Sequence, residues 1–283
     1  MLETGVLTLA ATPIGNPLDA SLRLVRALEE ADLVAAEDTR RLRRLAAALE
    51  VEPSGEVISY HEHNEAERTP MLLDALREGR TVLLVTDAGM PVVSDPGYRA
   101  VRAAQEAGIP VTVLPGPSAV LTALAASGLA PDRFAFEGFV PRTEGRRESM
   151  FAALAAEERT LIFFDSPRRT AATLAAMCAA FGRDRTAVLA RELTKTHQEV
   201  RRGTLAELAE HAARTEILGE VVLLVAGAQT MAVPIEQLVA RVLERTAGGE
   251  RLKDAAKQVA AGADGVGSRE LYARALAERS RTD

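Results

Sequence analysis

The chain has 283 residues, with 34 Lys+Arg against 40 Asp+Glu, 47% hydrophobic residues and 4% aromatic. At about 150 residues per domain this predicts two ordinary cores. An apolar fraction of this size, with 26% charged residues, excludes a disordered or low-complexity chain.

Apolar runs such as Val82–Val85 fall far short of the ~20 residues of a bilayer span, so no membrane association is expected. Met1 to Ala11 lacks the basic start and long apolar stretch of a secretory signal, which predicts a soluble, cytoplasmic protein. The single cysteine, Cys178, leaves no internal disulfide and no multi-cysteine zinc site. A net charge of −6 argues against a general nucleic-acid coat protein.

In chain order, Val6–Ala11, Leu33–Ala36, Val57–Tyr60, Thr81–Asp87 and Val111–Leu114 read as strands between turn residues. Helical spacing begins at Leu22, continues at Leu42, Leu45, Ala46 and Leu49, and returns over Tyr98–Ala107, which Gly108 stops. The alternation predicts a largely parallel sheet with helices on its faces. It pauses at Leu114-Pro115-Gly116-Pro117-Ser118, then resumes with a helix over Ala119–Ser127. Strands follow at Phe134–Phe139, Thr160–Phe164, Thr186–Ala190 and Val221–Ala226, with Gln198–Arg202 as a hairpin strand. After Pro234 the pattern is helical: Ile235–Arg245, Arg251–Ala261 and Arg269–Arg279, the last capped by Ser268. This predicts domains at 1–117 and 118–232 and a helical tail at 233–283. The tail reads equally as a helix-turn-helix appendage or a packing arm.

In open α/β sheets ligands sit beyond the carboxyl ends of the strands. Three consecutive strand ends carry Gly and Pro, which permit close backbone approach and fix its path: 11–17, 86–98 and 115–119. None is a nucleotide-phosphate loop of the G-x-x-x-x-G-K-[ST] type, and none is a G-x-G-x-x-G dinucleotide loop.

These segments resemble the tetrapyrrole methylase superfamily. Ala11-Thr12-Pro13-Ile14-Gly15-Asn16, Ala35-Ala36-Glu37-Asp38-Thr39-Arg40 and Ser59-Tyr60-His61-Glu62-His63-Asn64 carry the likeness. So do Asp87-Ala88-Gly89, Ser94-Asp95-Pro96-Gly97-Tyr98, Leu114-Pro115-Gly116-Pro117-Ser118-Ala119 and Arg191-Glu192-Leu193-Thr194-Lys195. The order and spacing are similar to those of one branch, the small-subunit ribosomal RNA methyltransferases I, over residues 6 to 227.

The resemblance implies two α/β domains of the class III methyltransferase type with a small C-terminal helical appendage, in a homodimer. It implies S-adenosylmethionine as methyl donor, bound by Pro13, Asp87, Gly89, Met90, Gly116, Ser118, Ala119, Phe164, Ala190 and Arg191. Its implied substrate is the 2′-hydroxyl of a cytidine in the decoding region of 16S rRNA, within the small ribosomal subunit. Met90 and Arg168 stand where the family usually has Thr and His. The first loop lacks the G-x-G-x-x-D pattern of porphyrinoid C-methyltransferases, the alternative enzyme reading. A non-catalytic, RNA-binding assembly module is the alternative of another class.

Removing the proton of a ribose hydroxyl calls for a general base. Glu37, Asp38 and His61 are the candidates, although Glu37-Asp38 also suits a helix N-terminus and His61 an ordinary loop. No third ligand accompanies His61 and His63, so no metal is expected. Arg40, Arg41 and Arg44, then Arg146 and Arg147, then Arg168 and Arg169, all follow strand ends and with Lys195 form the candidate RNA footprint.

Overall fold

A computed structural model describes residues 2–228, 234–263 and 266–282. Its first sheet comprises Leu7–Ala10 (β1), Leu33–Ala36 (β2), Glu56–Ser59 (β3), Val82–Val85 (β4) and Val111–Leu114 (β5). The strands lie parallel in the order β3-β2-β4-β1-β5. Successive side chains point to opposite faces of a strand. Leu7, Leu9, Leu33, Ala35, Val82 and Leu84 therefore share one face, while Ala10, Val34, Ala36, Leu83 and Val85 share the other.

Helices Leu22–Glu30 (α1) and Thr39–Ala48 (α2) cover the second of these faces through Leu24, Leu28 and Leu42. Helices Glu65–Arg77 (α3) and Tyr98–Glu106 (α4) cover the first through Leu72, Leu76, Ala100 and Ala104. The connections from β1 and β2 run toward the β3 edge, and those from β3 and β4 run back toward the β5 edge. Right-handed crossovers in opposite directions must place helices on opposite faces. The reversal falls between neighbouring β2 and β4, whose connections leave toward opposite edges and opposite faces, the place where an open α/β sheet forms a crevice.

The turn at 115–118 leads into Ala119–Ser127 (α5) and then a second sheet: Phe134–Phe139 (β6), Thr160–Asp165 (β7), Thr186–Arg191 (β8), Glu199–Thr204 (β9) and Val221–Val225 (β10). Its order is β6-β7-β10-β8-β9. Only β6 and β7 pair in parallel; β10 runs antiparallel to both its neighbours, and β8 and β9 form a hairpin. This departs from the parallel arrangement expected from the sequence pattern. The hairpin at 192–198 turns the chain without a crossover helix, so the next strand re-enters in the opposite sense.

One face of this sheet packs on Glu144–Leu154 (α6), Thr170–Phe181 (α7) and Leu205–Arg214 (α8) around Phe151, Phe163, Leu174, Met177, Phe181, Leu205 and Leu208. The other face receives Val120, Ala123 and Leu124 of α5 together with Ile14, which comes from the loop after β1. Ile14 thus fixes the first strand-end loop against the second sheet.

The chain divides into compact units at Met1–Ala228 and Gln229–Asp283. Within the second, Ile235–Ala247 (α9), Leu252–Ala261 (α10) and Ser268–Thr282 (α11) enclose their own core of Leu238, Val242, Ala255, Ala256, Leu271 and Ala275. Ser268 is the first residue of α11 rather than the cap before it. The boundary expected at 232–233 lies outside the described residues. Among the described residues no helix is long and apolar enough to cross a membrane.

Phe163 is fully buried between Phe151 and the β10 strand. Phe163→Ala is expected to cost about 3–5 kcal/mol in urea unfolding, the sum of lost transfer energy and an unfilled cavity. Leu18→Ala, at a side chain 88% exposed, should change stability by less than about 0.5 kcal/mol.

Candidate active site

The loops after β1 and β4 are stitched together by backbone. The Thr12 N–H donates to the Gly89 carbonyl and the Gly89 N–H donates back to the Thr12 carbonyl, each at 3.0 Å. Gly89 takes φ +86°, a region closed to most side chains. The Ala11 N–H donates to the Leu114 carbonyl, and a Cβ on Gly116 would lie 2.9 Å from Ala11 Cβ, so glycine lets the third loop reach the first. Gly15 lies against the 193–195 backbone and side chains, and the Asn16 N–H donates to Thr194 Oγ1. The sequence-level candidates Pro13, Gly89, Met90, Gly116 and Ser118 all belong to this joined set of loops. Ser118 precedes α5 without using its side chain as a cap.

Three cavities open around the loops. One, of about 380 Å³, has Ile14, Ala119, Phe139, Phe164 and Val222 as apolar walls and Asp95 and Glu220 as acidic ones. Phe164 meets Phe136 and Phe139 edge-on, with ring centroids 4.7 and 5.3 Å away. A second, of about 500 Å³, is bounded by Glu37, His61, His63, Asp95 and Tyr98. Ser94 and Asp95 line both. The third, of about 310 Å³, holds Pro13, Arg41, Arg44, Asp87 and Lys195.

Carboxylates concentrate where the first two cavities meet. Glu37 accepts the Asp87 N–H at 3.1 Å, and Asp87 accepts the Asp38 N–H at 3.0 Å. Arg41 stands 3.3 Å from Asp87. Burial raises the pKa of Glu37 and of Asp87 above the ordinary carboxylate range. Asp95 is pushed up to about 7, first by burial and then by the charges of Glu37 and Asp87.

Of the three proton-acceptor candidates, Glu37 and His61 line the second cavity. Asp38 instead caps α2, accepting the Arg40 N–H and bonding the Arg40 guanidinium, which holds its carboxyl far below the usual range. Asp95 lies within the Ser94-Asp95-Pro96-Gly97-Tyr98 segment, where Ser94 adopts a non-glycine positive φ of +63°.

The remaining candidates spread more widely. Ala190 is wholly buried in the core beside Val222, and Arg191 bonds Glu199 at 2.8 Å. Lys195 pairs with Glu192 and Glu220 at the third cavity. Arg40, Arg41, Arg44, Arg146 and Arg168 are exposed. Arg147 is 8% exposed on the inner side of α6, one turn from buried Phe151. Arg169 lies 3.2 Å from the buried Asp165 carboxylate and donates to the Val140 carbonyl. Among the described residues no group of three or more His, Cys, Asp or Glu is placed to hold a metal ion.

Residues 6–209 match the tetrapyrrole (corrin/porphyrin) methylases. The chain is 52% identical over 281 residues to the ribosomal RNA small subunit methyltransferase I of Mycobacterium bovis, covering 99% of this chain and 98% of that protein. The protein of the same name from Mesorhizobium japonicum is 44% identical over 95% of this chain and 91% of its own length. Among solved structures, a cobalt precorrin-4 methyltransferase superposes with a TM-score of 0.60 at 21% identity, over 78% of this chain and 95% of that one. Diphthine synthase gives 0.58 at 16% identity, over 78% and 90%. These two likenesses speak for the fold alone. The chain belongs to the tetrapyrrole methylases, a class of methyltransferases, and within them to the group named ribosomal RNA small subunit methyltransferase I.

Glu37, Asp87 and Asp95 are acids whose folded pKa stands above the unfolded value. The folded state then binds more protons in the window between, and stability falls as pH rises through it. Asp95→Asn should therefore melt several degrees higher than wild type above pH 7. The difference should vanish below about pH 4, where the carboxyl is protonated in both states.

Proposed function

We propose that the enzyme transfers a methyl group from S-adenosylmethionine to the 2′-oxygen of a cytidine in 16S rRNA of the small ribosomal subunit, working in the cytoplasm. The observation that carries this reading is the identity with small-subunit rRNA methyltransferases I over essentially the whole chain.

The residues of the first cavity fit such a donor. Phe164, Phe139, Ile14 and Val222 offer an apolar slot for a purine. The Asp165 side chain is fully buried on the opposite face of β7 from Phe164, beneath α7 beside Thr170 and Thr173, with Arg169 3.2 Å away. Asp95 and Glu220 give the slot an acidic edge suited to a sulfonium cation and ribose hydroxyls. Gly89, Met90, Gly116, Ser118 and Ala119 would hold the donor from the strand-end loops, with Pro13 and Asp87 at their outer side. Ala190 and Arg191 support this wall from β8.

The bound donor supplies an already activated methyl group. The protein's task is alignment of acceptor oxygen, methyl carbon and sulfur, worth ~7–11 kcal/mol when near-attack geometry is held. Arg40, Arg41, Arg44, Arg146, Arg168 and Lys195 offer a positive rim for the RNA backbone, with Arg169 anchored on Asp165 behind it. Arg147, being buried, is left out of this rim. A homodimer is part of the proposal: β5 is an edge strand with Val113 exposed, and Leu18, Leu22 and Leu121 are exposed too.

Labelled methyl groups offered with small subunits from a strain lacking the enzyme should enter one cytidine ribose, located by mass spectrometry. Labelling of a porphyrinoid instead, or subunit binding without transfer, would overturn the reading. Arg44→Glu and Arg168→Glu should each weaken RNA binding and lower the slope of log affinity against log salt by about 1, with donor affinity unchanged in calorimetry.

A further inference from the structure

The 500 Å³ cavity bounded by Glu37, His61, His63, Asp95 and Tyr98 lies outside the donor slot yet shares Ser94 and Asp95 with it. Its size suits a small organic ligand. Its chemistry selects against a phosphate, because Glu37, Glu62, Glu65 and Asp95 make it acidic. It favours the neutral part of a nucleotide. Carboxylates accept hydrogen bonds from ribose hydroxyls and from the exocyclic amine of cytosine. His61, His63 and Tyr98 add rings on which a base can stack.

His61 also offers an unused ring nitrogen. The Asn64 side chain accepts the His61 backbone N–H through Oδ1, so its amide nitrogen faces Ser59 and, at 3.3 Å, His61 Nε2. The other ring nitrogen, Nδ1, is buried and has no partner. Phosphates flanking a nucleotide held here would meet Arg41, Arg44 and Lys195 at the neighbouring third cavity.

Resting on the methyltransfer reading above, we infer that this cavity receives the acceptor nucleoside and that Asp95, at the wall common to both cavities, accepts the proton of the 2′-hydroxyl. In the step, the hydroxyl O–H bond breaks and its proton passes to the Asp95 carboxylate. The O–CH3 bond forms as the S–CH3 bond breaks, and that electron pair returns to sulfur, leaving a neutral thioether. One positive charge on sulfur and one negative charge on Asp95 are lost together.

The groups facing Asp95 explain why it can serve. Glu37 after β2 and Asp87 after β4 repel its charge, and burial adds to them, so that it is pushed up to about 7. From the β3–α3 segment His61, His63 and Glu65 share its cavity, with Tyr98 from α4. On the donor side it shares a cavity with Glu220, while Arg41 lies beyond Asp87. A carboxylate with a proton affinity near neutrality is a better acceptor than an ordinary one.

Two measurements test this. First, a short single-stranded RNA containing one cytidine, added to the donor-free protein, should shift the ring resonances of His61 and His63, and Tyr98→Ala should abolish the shifts. RNA binding with unshifted rings would place the nucleoside elsewhere and overturn the assignment of the cavity. Second, single-turnover transfer to undermethylated small subunits should rise with pH through about 7 in wild type. With donor held at saturation, Asp95→Asn should lose at least about a hundredfold and become flat with pH, and Asp95→Glu should recover part of the rate. Wild-type rate and pH profile in Asp95→Asn would overturn the role of Asp95 alone. Absence of transfer by wild type would overturn the methyltransfer reading and this inference with it.

Discussion

The reversal of crossover direction between β2 and β4 is the constraint from which the site follows. Because β2 feeds a helix on one face and β4 feeds a helix on the other, their loops must separate, and the cavity lined by Glu37 and by Ser94 to Gly97 opens at their ends. The reciprocal bonds between Thr12 and Gly89 tie the β4 loop to the β1 loop beside that cavity. Ile14 reaches across into the core under the second sheet, which ties the wall of the proposed donor slot to a packed interior. Three loops that would otherwise be mobile connections thus behave as rigid walls, as precise alignment of a methyl group requires.

The electrostatic arrangement has two layers. Inside, Glu37, Asp87 and Asp95 crowd each other in partly dry surroundings, with their proton affinities raised at a cost in folding stability near neutral pH. Outside, arginines from α2, α6 and the segment after β7 point into solvent. On the proposed reading, an acidic interior behind a basic rim would separate a nucleotide into its parts, the sugar and base directed inward and the phosphates kept at the edge. Such a layout reconciles a chain of net charge −6 with binding to a polyanion, since local field, not total charge, governs the encounter.

Much of this was legible in the sequence. The limits of β2, β5, β6 and α5 follow directly from apolar alternation and from Ser127-Gly128 at the helix end, where Gly128 adopts φ +65°. The three Gly/Pro loops were identifiable because glycine and proline mark the places where backbone must turn or touch. Strand direction in the second sheet was not, since side chains alternate with a period of two in either sense. Arg146 and Arg147 read as one surface pair, yet neighbours on a helix are a quarter turn or more apart, and Arg147 turns inward with Phe151. Glu37 and Asp38 are likewise adjacent in sequence but divide between a cavity wall and a helix cap. The unusual character of Asp95 depends on carboxylates contributed by two other strand ends, a proximity no local pattern encodes.

The central claim is that the strand-end loops and the wall around Phe164 together form one donor site. Hydrogen–deuterium exchange of the free protein, with and without saturating S-adenosylmethionine, measures this directly. Protection is expected at once in 12–16, 87–97, 115–119, 164–167 and 219–222, with α9–α11 unchanged. Slowed exchange confined to the helical unit, or to a single loop with the others unaffected, would contradict it.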